Sequence, residues 1–243
     1  MASVDFRQRY DLRSKSSSEG LDEQLVPLAP DSKVKLIWIT PKAEQVISYC
    51  ARVSSPKNQE SKNNEKLIKH CADHNHWSIF EMASMCIEVV TSRAMSAQII
   101  RHKSFSFQEF SQRYSTVDKL GRDIIEKCLA RRQDIENKQN SIDDLSQETK
   151  EWFNNAQEQV VTLSSKLYQE AIEKGIAKEC ARFILPMGTR TRLYMSGNVR
   201  SWIHYLQVRD TEECQREHRM IAKEIKEIFR REMPIIYNTI FVP

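Results

Sequence analysis

Five glycines in a chain of 243 residues, Gly20, Gly121, Gly175, Gly188 and Gly197, narrow the folds open to it. No two stand close enough to build a GxGxxG turn or a P-loop, both of which need glycine where backbone approaches a phosphate. A dinucleotide bound by this chain has to be held by something other than a Rossmann turn. The length allows one large domain or two small ones, and a substantial core.

Periodicity divides the chain. Residues 1–32 are polar and serine-rich, with SKSSSEG followed by Pro27 and Pro30, and are expected to form an N-terminal extension, mobile or packed as an arm on a neighbour. Residues 34–40, VKLIWIT, read as a first strand. A helix is expected after Pro41 on Ala43, Val46, Ile47, Cys50 and Ala51, and another over 65–73 with Leu67, Ile68 and Cys71 on one face. Residues 84–90 read as a strand, and Thr91 or Ser92 caps a helix expected to carry Gln98 and Arg101 on one face. A long amphipathic helix runs from Leu145 through Trp152, Ala156, Val160, Leu163, Leu167 and Ala171 to a stop at Gly175, as core or as a subunit interface. A further helix is expected over 176–186, with Arg182 inside an otherwise apolar stretch and so in need of an anionic partner. Residues 189–196 alternate as a strand, and Asn198 opens a helix through Trp202, Ile203 and Leu206. The last helix covers 221–229 and closes at Met233-Pro234, before an apolar tail, PIIYNTIFVP, expected to pair as an edge strand. Residues 131–140 (RRQDIENKQN) read as exposed and irregular. The pattern predicts an α+β fold for 33–243, a single domain with a mixed or antiparallel sheet flanked by long helices.

The stretch from Arg101 to Tyr114, RHKSFSFQEFSQRY, most needs a chemical explanation. Side chains two apart on an extended segment share a face, which would place Glu109, Ser111 and Arg113 together. Such a face suits a polar, anionic ligand, with Arg113 gripping an oxyanion and Ser111 meeting a heterocycle edge. An Arg-His-Lys run taken alone is otherwise an ordinary solvated basic loop.

Composition removes several classes. A net charge of +4 is too small to imply nucleic acid by itself and fits an anionic small-molecule site. The six cysteines include no CxxC pair, which argues against a zinc site and a disulfide framework and for reduced, mostly buried thiols. His74, His76 and Glu81 lack the further ligands a metal needs, so no metal is expected. No apolar run reaches the ~18 residues of a membrane span, and no signal peptide opens the chain. A soluble, cytoplasmic protein is expected.

The motif as a whole resembles the signature of the flavin-dependent thymidylate synthases: Arg-His-Arg, seven residues, then Ser, with Glu two before it and Arg-Tyr after. Here it reads Arg101, His102, Lys103, Glu109, Ser111, Arg113 and Tyr114, with Lys103 in place of Arg. The resemblance runs from about residue 34 to 233 and includes His76-Trp77-Ser78-Ile79-Phe80-Glu81, Asn198-x-Arg200, and Arg209-x5-Gln215-x-Glu217. It implies FAD contacts at Ser54, His76, Ser78, Arg101, His102, Lys103, Glu109, Asn198, Arg200 and His204, with Glu81 nearby. It implies dUMP contacts at Gln98, Arg101, Glu109, Ser111, Gln112, Arg113, Arg182 and Arg209, with Arg182 reaching the nucleotide of a neighbouring subunit. Arg209 and Ser111 are the implied catalytic pair: Arg209 stabilises charge on the pyrimidine, and Ser111 orients and polarises it. Methylenetetrahydrofolate as one-carbon donor, NADPH as reductant, and a homotetramer with shared sites complete the implication. Met82, His204 and Glu213 depart from the residues many members carry.

Two alternatives remain open. A single-stranded nucleic-acid binding module would use the same basic groups with Phe105, Phe107, Phe110 and Tyr114 as stacking platforms. A relative that keeps the fold without activity would explain the departures at Lys103, His204 and Glu213, since Lys keeps charge but loses the planar fork.

Overall fold

A computed structural model of the chain describes residues 33–121 and 124–242. The extension expected over 1–32 lies outside the described residues. In chain order the elements are β1 (Val34–Ile39), α1 (Ala43–Ala51), α2 (Asn64–Asp73), a 3-10 segment (Trp77–Met82), β2 (Ser84–Ser92), α3 (Arg93–Ile99) and β3 (Ser106–Glu109). There follow β4 (Arg132–Gln133), β5 (Ser141–Ile142), α4 (Gln147–Glu173), α5 (Lys178–Ala181), β6 (Arg190–Asn198), α6 (Val199–Arg209), α7 (Arg216–Glu232) and α8 (Pro234–Phe241).

One four-stranded sheet, ordered β1-β2-β6-β3, is antiparallel throughout, and β4 and β5 form a small separate hairpin. Alternation decides which face is covered. Leu36, Ile87 and Met195 are aligned across the sheet and buried, as are Val34 and Val89 in the next row. Glu88 and Tyr194 pair on the opposite face, where the Tyr194 hydroxyl donates to Glu88 Oε2 at 2.8 Å. Against the apolar face lie α6 through Trp202, Ile203 and Leu206, and α7 through Ile221, Ile225, Ile228 and Phe229. Those spacings of three and four residues are the stripe an amphipathic helix turns inward. The antiparallel sheet with helices against it is the expected α+β class. No helix among the described residues is long and apolar enough to cross a membrane.

Several expectations are corrected. The apolar tail is the helix α8 rather than a strand: Pro234 starts it and Ile236 is buried. The Glu44 carboxylate accepts the Ile236 N–H at 2.8 Å, satisfying a first-turn donor that a helix leaves open. The helix capped by Ser92 stops at Ile99, so Arg101 lies beyond it and shares no helical face with Gln98. Residues 176–186 hold one turn of helix, α5, and a 3-10 turn over Arg182–Ile184, and Phe183 is 83% exposed, so Arg182 has no apolar burial to compensate. The charged segment 131–140 opens on Arg131, whose side chain is 8% exposed, and contributes to a hairpin. Only Cys71 and Cys86 are buried; Cys128 and Cys180 are exposed. On α4, which ends where Gly175 takes φ 77° as expected, Tyr168 and Ala171 are buried while Trp152, Val160, Leu163 and Leu167 are exposed.

Gly197 has a specific packing reason. A Cβ at this position would stand 2.5 Å from Cδ1 and 2.7 Å from Cε1 of Phe105, a ring held edge-on against Trp202 at 4.6 Å. Gly197→Ala is therefore expected to cost about 1–3 kcal/mol through overpacking, read as a lower urea midpoint; an unchanged midpoint would contradict the contact.

Candidate active site

Helix α6 organises the site because its two faces differ. Val199, Trp202, Ile203 and Leu206 bury one side, and the Asn198 side chain caps the start by accepting the Ser201 N–H at 2.9 Å. The outward positions, Arg200, His204 and Gln207, line an open cleft of about 590 Å³ with Trp77, Glu81 and Ser104. Arg200 pairs with Glu81 across it. A helix N-terminus, a guanidinium, an imidazole and an indole in one cleft form a donor set suited to a phosphorylated, planar ligand. Of the sequence-predicted residues, Asn198, Arg200, His204 and Glu81 are thus brought together.

The last residue of α6 joins it to the basic triplet. Arg209 Nε donates to His102 Nε2 at 2.8 Å, and the His102 ring meets Tyr205 edge-on at 4.9 Å. Burial, then the positive charges of Arg209, His204 and Arg101, push His102 down to about 4. Its ring is therefore neutral at pH 7, with Nε2 as acceptor and the proton on Nδ1. Arg101 and Lys103 flank it in exposed turn positions. No carboxylate pairs with Arg209 among the described residues, so a partly buried guanidinium stands ready for an anionic partner.

Glu109 is tied down separately. Its Oε1 accepts from Arg93 Nη1 at 2.7 Å, Ser96 Oγ at 2.7 Å and Thr191 Oγ1 at 2.9 Å, which locks β3 to α3 and β6. The extended segment ends at Glu109, and the chain then turns, with the N–H groups of Tyr114 and Ser115 both donating to the Ser111 carbonyl. Glu109, Ser111 and Arg113 therefore do not share one strand face, a correction to the expectation. Ser111 is exposed, whereas Gln112 is buried with Nε2 unpartnered. Arg113 Nε reaches Glu179 Oε2 at 3.1 Å, and Arg182 Nε reaches the Glu179 carbonyl at 3.3 Å, so these two arginines meet at Glu179, on the surface.

His76 and Ser78 flank Trp77 of the cleft, while Ser54 belongs to another turn. Ser54 lies exposed in the turn after α1, Ser78 is exposed on the 3-10 segment, and His76 sits 6.1 Å from the His74 ring. The aromatic stacking platform is not formed as a set: Phe105 is buried against Trp202, and Tyr114 is 85% exposed. Among the described residues no group of three His, Cys, Asp or Glu side chains is placed to hold a metal ion.

Behind the site runs a polar chain that sequence reasoning did not find. Arg131 grips Glu217, Gln215 bonds Glu217 and Gln98, and Gln98 meets His218, whose other nitrogen meets Tyr205. Burial alone would raise Glu217, but the hydrogen bonds from Arg131 and Gln215 outweigh it and bring the carboxyl down to about 2. Burial, then Arg209 and His102, lowers His218 to about 3. Arg131 was hidden in a charged run, and His218 in the apolar stripe of α7, where a histidine reads as core. Arg93 and Ser96 did carry a signal: they stand three apart in the first turn of a capped helix, on one face.

A family described as thymidylate synthase complementing protein matches residues 35–235. The flavin-dependent thymidylate synthase of Synechocystis sp. is 55% identical over 194 residues, 79% of this chain and 87% of that protein. A probable flavin-dependent thymidylate synthase of Paramecium bursaria Chlorella virus 1 is 50% identical over 195 residues, 80% and 88% of the two chains. Among solved structures, the UMP/dUMP methylase PolB of Streptomyces cacaoi bound with 5-Br UMP has the same fold, with TM-score 0.72 at 24% identity over 85% of this chain and 92% of that one.

Proposed function

The chain belongs to the flavin-dependent thymidylate synthase family, and from that premise we propose that it methylates dUMP to dTMP with FAD as cofactor, methylenetetrahydrofolate as one-carbon donor and NADPH as reductant. The observation that carries this reading is the arrangement on α6: Asn198, Arg200 and His204 line a cleft at one end while Arg209, without a carboxylate partner among the described residues, holds His102 of the basic triplet at the other.

The donor set of the cleft fits a flavin nucleotide. Asn198, Arg200 and His204 would hold it, with Ser54, His76, Ser78, Arg101, His102, Lys103 and Glu109 as the further contacts in this reading. Bound there, the flavin supplies hydride chemistry the side chains lack. Each protein group then has a limited task. Arg209 stabilises negative charge that develops on the pyrimidine, and Ser111 orients and polarises the ring. Gln98, Arg101, Glu109, Gln112 and Arg113 position the nucleotide, and Arg182, half-buried on its turn, reaches a neighbouring subunit in this reading. His204 lines the cleft, so this departure keeps a polar group in place; Lys103 and Glu213 are exposed.

Three of the thiols are held in their unreactive form. Burial pushes Cys71, Cys86 and Cys214 above the ordinary thiol range, which keeps them protonated and poorly nucleophilic. That favours polarisation of the ring over a covalent protein adduct. The exposed apolar stripe of α4, Trp152, Val160, Leu163 and Leu167, supports burial of this helix against another subunit; a homotetramer with shared sites and a place in the cytoplasm belong to this reading through the family.

Purified protein is expected to be yellow, to bleach with NADPH without oxygen, and to form dTMP when dUMP and methylenetetrahydrofolate are added. Ser111→Ala should retain the colour and lose roughly 10- to 100-fold in turnover, the equivalent of one hydrogen bond to a developing charge, about 1.5–3 kcal/mol. Colourless protein without dTMP formation would end the proposal.

A further inference from the structure

The six-residue chain behind the site has a direction forced from one end. The ionised carboxylate of Glu217 only accepts. Arg131 Nη1 donates to its Oε1 at 2.8 Å and Nη2 to its Oε2 at 2.9 Å, and Cys128 Sγ lies 3.5 Å from Oε1. Gln215 has to offer Oε2 its Nε2, at 3.0 Å, which turns its own oxygen toward Gln98. Gln98 then has to donate, Nε2 to Gln215 Oε1 at 2.6 Å, which leaves its Oε1 facing His218 Nδ1 at 3.3 Å. An acceptor opposite Nδ1 requires the proton on that nitrogen. His218 Nε2 is then an acceptor, and the Tyr205 hydroxyl fills it at 2.9 Å. Reversing one amide would set two donors or two acceptors face to face, in a region where His218 and Tyr205 are fully buried.

We infer that Arg131, Glu217, Gln215, His218 and Tyr205 are positioning residues that lock the Gln98 amide in one flip state, so that Gln98 offers the active-site ligand its free N–H as a hydrogen-bond donor. One N–H of Gln98 is spent on Gln215; the other has no partner among the described residues. Gln98 is partly exposed, unlike the histidine behind it. The group it reads is therefore an acceptor, such as a carbonyl or phosphate oxygen. That this ligand is dUMP rests on the function proposed above; the lock itself does not.

Two measurements test the inference. In magic-angle-spinning ¹⁵N spectra of histidine-labelled wild-type protein, His218, identified by the signal lost in His218→Gln, is expected to show a protonated Nδ1 and a bare Nε2 between about pH 6 and 8. The opposite tautomer would overturn the lock whatever the substrate is. In a double-mutant cycle, Glu217→Gln is expected to raise KM for dUMP about fivefold with kcat within about twofold, and to have almost no effect in a Gln98→Ala background. Equal effects in both backgrounds would show that Glu217 does not act through Gln98. Arg131→Lys, which keeps the charge but loses the fork, takes its place in the cycle if Glu217→Gln fails to fold. If wild-type protein does not turn over dUMP, the proposed function falls while the tautomer still decides the lock.

Discussion

Arg209→Ala is expected to lower dUMP methylation by about 10²- to 10³-fold, the usual loss when one preorganised donor to a developing anion is removed, while leaving the fold and the flavin colour in place. The guanidinium sits at the end of α6 with Nε engaged by a ring nitrogen and the Cys214 thiol as a further side-chain partner, and no carboxylate among the described residues neutralises it. A charge held in that state is stabilised most when negative charge appears beside it, which is the condition for acting on the transition state more than on the ground state. Arg209→Lys should recover only part of the loss, since it keeps charge without the planar fork. The variant also reports on His102. Burial and Arg209 are the two largest causes of its low value, so removing the second should raise it part of the way from about 4 toward 6.5. The neutral form is then lost at a higher pH as acid is added, and any acid limb of activity that follows His102 moves up. Turnover of Arg209→Ala at the wild-type rate would remove Arg209 from the mechanism.

The largest expected loss of stability belongs to Trp202→Ala, about 3–5 kcal/mol. Trp202 is fully buried, its Nε1 donates to the Met85 carbonyl at 3.3 Å, and its ring meets Phe105 edge-on at 4.6 Å and Tyr205 at 5.9 Å. Truncation leaves a cavity, a buried β2 carbonyl without its donor, and an unsupported Phe105. A domain of this size moves by roughly 2–4 °C per kcal/mol, so a thermal scan should fall by roughly 10 °C. Because Trp202 lies under Arg200, His204 and Arg209 on the same helix, flavin retention should fall with it. A shift under about 2 °C would show that α6 is not held by this residue.

The elements that sequence periodicity located are those whose burial is one-sided. β1 and β6 alternate, and α6 announces itself by a capping Asn198 before an apolar stripe. The misreadings occurred where tertiary partners override local preference. PIIYNTIF is rich in β-formers, yet Pro234 and a carboxylate 192 positions away make it a helix. Arg131 looked like one more solvated charge until Glu217 was placed opposite it. In the site, Asn198, Arg200, His102 and Arg209 were legible because each belongs to a short motif, whereas His204 stood out only as a departure from one. The fixed face for Glu109, Ser111 and Arg113 was not, because Glu109 is tied to Thr191, 82 positions away, while the chain turns directly after it on N–H bonds to the Ser111 carbonyl.

The contact between Glu44 and the Ile236 N–H bears on how the chain is made. A ribosome adding about 5–20 residues per second releases the partner of Glu44 roughly 10–40 s after Glu44 itself, since 192 positions separate them. The N–H groups of Lys33 and Val34 wait similarly for Glu224. During that interval the first strand and first helix have emerged without the groups that complete them, and Ile47 and Ile68 remain open to chaperones. Chains ending before Pro234 should accordingly be more protease-sensitive around the first helix than the full chain, because the Glu44 contact with the Ile236 N–H is missing from them.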